Sequence, residues 1–215
     1  MAKRHKNLLL VEGEQDKRTI PYLIEANGID WGTKGNPIVY IEPLGGDRNV
    51  IDPLLISTEL KASGLRSLGL MVDADDNPSG RWQSVRNSCL PAIPDIPKQL
   101  PETGLIHSLQ DGVKFGVWIM PDNKMRGMLE TFLAYMIPDE SEPLWEYAQE
   151  AVAVAKTRNA PFKDVHVDKA HIFTWLAWQN EPGRQLHHAI MEKILAPKHP
   201  KAQTFVNWFK SLYNL

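Results

Sequence analysis

Four times in the first 137 residues a short run of apolar side chains, too uniform to have a solvent-facing side, stops at a glycine or an acid. Each gives way to residues with helical spacing. NLLLVEG (7–13) leads into DKRTIPYLIEANGI, with Ile20, Leu23 and Ile24 on one face and Gly28 as the stop. PIVYIEPLGG (37–46) leads into VIDPLLISTELKASG (50–64), whose Leu54, Leu55, Thr58 and Leu60 carry the next helical face. SLGLMVDAD (67–75) precedes PSGRWQSVRNSCL, where Trp82, Val85 and Cys89 share a face, and FGVWIMPD (115–122) precedes GMLETFLAYMI (127–137). Strands that are apolar on both faces and alternate with helices specify a mainly parallel sheet covered on both sides, an α/β fold.

The rest of the chain has a different texture. LPAIPDIPKQLPETG (90–104) spaces its four prolines too closely for a helix or a central strand and reads as a loop. GLIHSLQDGVKFGVWIM then suggests a hairpin about Asp111-Gly112. After Pro138 four segments read as helices: PLWEYAQEAVAVAKTRN, VDKAHIFTWLAWQN, GRQLHHAIMEKIL and KAQTFVNWFKSLYN. The expected layout is an α/β domain over residues 1–137 and a helical extension over 138–215 packed on it. One cysteine, Cys89, excludes a disulfide framework or a thiolate zinc site. No stretch approaches the length of a membrane span, and the apolar run after MAKRHKN is too short for a secretory signal, so a cytoplasmic protein is expected. Net charge is −2, yet residues 1–150 hold 15 Lys+Arg against 22 Asp+Glu while residues 151–215 hold 9 against 4. The acidic front could hold cations and the basic tail a polyanion; both could equally be solvated helix faces.

In open parallel sheets ligands bind beyond the carboxyl ends of the strands. Glu12 follows the first strand directly, and Asp73 and Asp75 follow the third, where the period-two alternation of an extended chain points both to one side. At roughly 4 Å and an effective dielectric near 20, like charges repel by about 4 kcal/mol. An all-oxygen set of this kind suits a hard cation, Mg²⁺ or Mn²⁺.

A hydrophobic strand ending in Glu-Gly, LLLVEG, followed about 60 residues later by one ending in Asp-x-Asp, LGLMVDAD, resembles the TOPRIM domain of topoisomerases, primases, small maturases and OLD-type nucleases. WIMPDNKMRGMLETFL and DKAHIFTWLAWQNEPGRQL further resemble a prokaryotic family of stand-alone TOPRIM-related proteins. The resemblance implies that Glu12 is a metal ligand or general acid/base and that Asp73 and Asp75 hold the divalent ion. It implies that Asp16 is a second acid of the set, where the plain alternative is a first-turn acid at a helix N-terminus. Glu130 matches the acids that serve a second metal; otherwise it is an exposed helix acid paired with Arg126. Asp122 competes for the same role, with a loop cap as its alternative. Lys169, with Lys163 behind it, is the candidate cation for the scissile phosphate.

Other residues carry less. Glu14 reads as a solvated loop acid, and Asp76 and Asn77 as turn or capping residues. Gly45-Gly46 would serve a plain turn or the approach of a phosphate. Trp175, Trp178 and Trp208 have the spacing of core residues more than of base-stacking ones. His166, His171, His187 and His188 lack metal-ligand spacing, and Arg184, Lys193, Lys198 and Lys201 could contact a nucleic-acid backbone or merely face solvent. The reaction implied is Mg²⁺-dependent hydrolysis of DNA or RNA, with nucleic acid as partner. No GxxxxGK[ST] is present, so a separate ATPase subunit, as in several TOPRIM-containing phage-defence systems, would supply any ATP turnover. Two alternatives stay open: an aspartate-dependent phosphatase with Asp73 as nucleophile and Asp75 as acid, and a non-catalytic module that binds nucleic acid or a partner.

Overall fold

Along the first strand the apolar side chains sort by parity. Leu9 and Val11 enter one hydrophobic cluster, and Leu8 and Leu10 enter a second on the opposite face. The same division holds at the centre of the sheet, where Met71, Trp118 and Met120 face one way and Leu70, Val72, Val117 and Ile119 the other. A strand buried on both faces must lie inside a three-layer structure. The computed structural model, which describes residues 5–215, has that form.

In chain order the strands are β1 (Asn7–Val11), β2 (Gly32–Thr33), β3 (Asn36–Pro37), β4 (Tyr40–Pro43), β5 (Ser67–Asp73), β6 (Leu105–Ser108) and β7 (Lys114–Met120). The helices are α1 (Glu14–Ala26), α2 (Asp47–Val50), α3 (Pro53–Leu60), α4 (Pro78–Cys89), α5 (Leu129–Ala134), α6 (Glu142–Thr157), α7 (Val167–Ala177), α8 (Leu186–Met191) and α9 (Pro200–Tyr213). The main sheet has the order β4-β1-β5-β7-β6; all neighbours are parallel except β6, which pairs antiparallel with β7. This is the α/β architecture read from the sequence, and it is consistent with a TOPRIM-like fold. The small β2-β3 hairpin was not foreseen.

The chain leaves β1 toward β4 on one side and returns to β5 on the other. The carboxyl ends of β1 and β5 therefore flank a topological switch point, where a crevice opens because the crossover helices diverge to opposite faces. The Asp111-Gly112 turn forms as expected, with the Asp111 carboxylate accepting from Val113 N and Gly112 at φ 84°. The proline-rich segment is irregular but not loose, since Ile93 and Ile96 plug into the cluster that holds Trp82, Val85 and Cys89.

All four expected C-terminal helices are present, and their buried faces share a cluster with β1, β5, β7 and α1. The last of them lies close against the sheet because two paired positions there have no side chains. Gly69 and Gly116 are paired across β5 and β7, and a Cβ on Gly69 would stand 2.5 Å from the Tyr213 hydroxyl, one on Gly116 2.6 Å from Leu212. The Tyr213 hydroxyl donates to Leu8 O at 3.0 Å and the Ser67 hydroxyl donates to Leu212 O at 2.9 Å, fastening the end of α9. Trp175 and Trp208 are core residues as read, but Trp178 is 39% exposed and stacks on Tyr147. Leu54, expected on a buried helical face, is also exposed, because α3 turns Ile56 and Leu60 inward. Among the described residues no helix is long and apolar enough to cross a membrane.

Candidate functional site

Glu12 is the first residue past β1, and three backbone contacts hold it there. Its carbonyl accepts from Gly45 N at 2.9 Å and Gly46 N at 3.0 Å, while its carboxylate accepts from Asp73 N at 2.8 Å. The side chain thus spans the switch point from β1 to β5. Gly45 and Gly46, at φ 77° and 138°, have their N–H groups committed to this strand end, so of their two readings the structure gives the turn.

Asp73 closes β5, and its carboxylate accepts from Leu129 N at 3.1 Å at the start of α5. Asp16 lies in the first turn of α1, where its carboxylate reaches back to Gly13 N at 2.9 Å. That bond caps the helix, yet the side chain is not the solvated first-turn acid of the plain alternative: the residue is only 7% exposed. Glu130, in the first turn of α5, is 4% exposed. Arg126, its partner in the plain alternative, instead meets Asp76 at 3.5 Å, and the cation facing Glu130 is Lys169 at 3.8 Å.

The period-two argument for Asp75 does not hold. β5 ends at Asp73, and Asp75 has the left-handed φ of 51° because its backbone pairs with Gly127, through Asp75 N to Gly127 O at 3.0 Å and Gly127 N to Asp75 O at 2.7 Å. The Asp75 carboxylate turns to Arg81 of α4, whose guanidinium also binds Asp47 at the start of α2. Asp75 stays within electrostatic reach of Glu12 and Asp73, by way of a loop and not a strand face.

Asp73, at the end of β5, therefore feels the charges of Asp16 on α1, Glu12 past β1, Glu130 on α5 and Asp75 in the loop. Burial leads in raising the proton affinity of the inner four, and the charges of neighbouring carboxylates add to it. Desolvation leads for Asp16, pushed up to about 7, helped by the charges of Glu12 and Glu130. Desolvation also raises Asp73, well above the usual carboxylate range, with Asp16, Glu12, Glu130 and Asp75 all adding to it. For Glu12 desolvation is opposed by the Asp73 N–H and by Arg81, and for Glu130 it is opposed by Lys169; both remain raised. Arg81 is already shared by two carboxylates and Lys169 is about half exposed, so the local positive charge does not balance the acids.

These acids are all-oxygen groups, largely buried and short of positive charge, the chemistry that a hard divalent cation favours. As the side chains lie, no three His, Cys, Asp or Glu groups among the described residues form a ready cage, so binding a cation requires side-chain adjustment.

Several supporting residues were not singled out from the sequence. Thr131 accepts from Met128 N at 3.0 Å and donates to the Asp168 carboxylate at 2.6 Å, which docks α7 on α5 and brings Lys169 beside Glu130. Gly127 must lack a side chain, since a Cβ at its φ of 135° would collide with Thr131. Arg81 had one legible signal, its position in the first turn of the helix that follows the acidic loop DADDN. Asp122 takes its loop-capping alternative, accepting from Lys124 N, Met125 N and the Tyr135 hydroxyl. Asn77 caps α4 by accepting from Gly80 N, and Glu14 and Lys163 are exposed.

The family model described as "Protein of unknown function (DUF3226)" matches residues 6–214, nearly the whole chain. The chain belongs to the DUF3226 family. No curated protein matches it significantly. Among solved structures the chain is similar to the C-terminal region of the OLD protein of Xanthomonas campestris pv. campestris. Identity is 14%, the match covers 94% of this chain and 85% of that one, and the TM-score is 0.37.

Proposed function

We propose that this DUF3226 protein is a divalent-metal-dependent nuclease that hydrolyses phosphodiester bonds of DNA or RNA. The observation that carries the reading is the gathering at one switch point of Glu12, Asp16, Asp73 and Glu130, buried acids with raised proton affinities and too few cations, with Asp75 close enough to act on Glu12 and Asp73. Acids that repel one another in a partly buried crevice cost stability, and a bound dication converts that cost into affinity.

In this reading Glu12, Asp16, Asp73, Asp75 and Glu130 would hold Mg²⁺ or Mn²⁺, which supplies Lewis acidity toward the phosphodiester and makes water more acidic. Glu12 is the residue to manage the proton of the attacking water. Its carboxylate is fixed by Asp73 N, and burial raises its proton affinity, the direction that suits a general base. Lys169, whose ammonium stands 3.8 Å from Glu130, offsets charge gathering on the phosphate oxygens as the bond breaks. Arg81 orients Asp75 through their ion pair. The phosphatase alternative leaves Glu12, Asp16 and Glu130 without a role. A separate ATPase subunit and a place in phage defence extend the proposal by resemblance alone.

The test is incubation with single- and double-stranded DNA and RNA in Mg²⁺, Mn²⁺ and Ca²⁺, beside the Glu12→Gln protein. Cleavage that needs Mg²⁺ or Mn²⁺ and vanishes in the variant supports the reading. A folded protein that cuts none of the four substrates refutes it and leaves the binding module.

A further inference from the structure

A cleft of about 290 Å³ opens directly beside the acids and shares Glu130, Thr131 and Asp168 with them. Its far walls come from α6 and α7, where Trp145 meets His171 edge-on with ring centroids 6.0 Å apart. The nuclease reading assigns this cleft no role.

The charge of the lining decides what it can accept. Asp139 and Glu142 join Glu130 and Asp168, giving four carboxylates. Lys201, His199 and His171 stand against them, and burial shifts His171 toward its neutral form. Such a cleft repels a phosphate and favours a planar group that presents N–H donors to carboxylates and a π-face to aromatic walls. Guanine, adenine and cytosine have both properties through the exocyclic amine; uracil and thymine offer on that edge only a ring N–H flanked by two carbonyl oxygens, which carboxylates repel. Gln149, also in the lining, offers a side-chain amide that can both donate and accept. A base can enter only when unstacked, so the strand that uses this cleft is single or splayed.

We infer that the cleft between α5, α6 and α7 seats a nucleobase of the substrate next to the scissile phosphate, selecting amino-bearing bases over uracil and thymine. This rests on the nuclease reading for the position of the phosphate, which stays outside, at the acids. Trp145 supplies the stacking surface, and Glu142 and Asp168 accept from the amine.

The test titrates the full-length protein in Mg²⁺ with GMP, AMP, CMP, UMP and inorganic phosphate by calorimetry, and repeats the series with Trp145→Ala and Glu142→Gln. The expected result is tighter binding of GMP, AMP or CMP than of UMP by roughly fivefold or more. Trp145→Ala should weaken nucleotide binding roughly tenfold with phosphate binding unchanged. Glu142→Gln, at an exposed position, should narrow the preference without loss of fold. Nucleotides that bind no better than phosphate, or equally well to both variants, would overturn the inference. Cleavage assays keep the two ideas apart: metal-dependent cleavage without base preference sinks the subsite and spares the nuclease, and base-selective binding without cleavage does the reverse.

Discussion

Replacing Asp16 with asparagine should stabilise the metal-free protein, against the usual rule that changing a buried polar residue is harmful. Asp16 is 7% exposed and its carboxyl is pushed up to about 7 from an ordinary 3.8. Each tenfold rise in proton affinity corresponds to about 1.4 kcal/mol, so the ionised residue costs the fold about 4 kcal/mol above pH 7. The sign follows from the direction of the shift. A raised carboxyl contributes stability that is fully present below the unfolded value and is lost as pH climbs through the folded value, here between 3.8 and about 7. Asparagine keeps an oxygen for Gly13 N but adds amide donors whose burial costs about 2 kcal/mol. A net gain of about 2 kcal/mol remains at pH 8, which in a chain of this length moves the melting temperature up by about 4–8 °C. Between pH 8 and pH 5 the advantage should shrink by about 3 kcal/mol and become a small loss. Saturating Mg²⁺, at about 100 times its dissociation constant, should stabilise the wild type by about 2.7 kcal/mol and the variant much less. Thermal melts in EDTA and in Mg²⁺ at pH 5 and pH 8 decide the matter. If Asp16→Asn melts below the wild type at pH 8 in EDTA, or the difference ignores pH, then the acids are not mutually destabilising and the reasoning fails.

Other substitutions probe separate links. Glu12→Gln and Asp73→Asn should each lower metal-dependent cleavage by roughly 100-fold or more while circular dichroism stays unchanged; retention of activity in either removes that residue from the chemistry. Lys169→Ala should reduce kcat by roughly 100-fold with little change in Mg²⁺ affinity, and a change confined to KM would mark Lys169 as a binding residue only. Arg81→Leu should destabilise the fold by roughly 1–3 kcal/mol by leaving Asp47 and Asp75 without their shared partner, measured by urea unfolding; a neutral result would mean water replaces the guanidinium at no cost. Gly116→Ala should cost roughly 1–3 kcal/mol by pushing Leu212 off the sheet. The double variant Gly116→Ala/Leu212→Ala should be less unstable than the sum of its parts, and strict additivity would show that α9 is not held there by close approach.

How much of this was legible depended on whether the signal was local. NLLLV, SLGLMVD and KFGVWIM announced buried strands because a run without polar interruption has no solvent face to offer, and glycines and prolines marked their ends. The position of Glu12 at a strand end was equally visible. The expected orientation of Asp75 was not legible: strand alternation was extended past Asp73, but pairing with Gly127, fifty-two positions later, gives a left-handed turn that no local pattern encodes. The plain alternative for Glu130, an exposed acid paired with Arg126, fails for a related reason. Arg126 is its neighbour in sequence, yet the Thr131–Asp168 bond docks a distant helix and brings Lys169 there instead.

Periodicity and punctuation, which are properties of neighbouring residues, determined the α/β class, the parallel sheet and the run of C-terminal helices. The strand order with its switch point, the burial of Asp16 and Glu130, the Arg81 clamp and the cleft beside Trp145 were decided only when segments far apart in the chain met. Desolvation and charge repulsion depend on those meetings in space, so the same acids that look ordinary along the sequence become strained and proton-hungry in the fold.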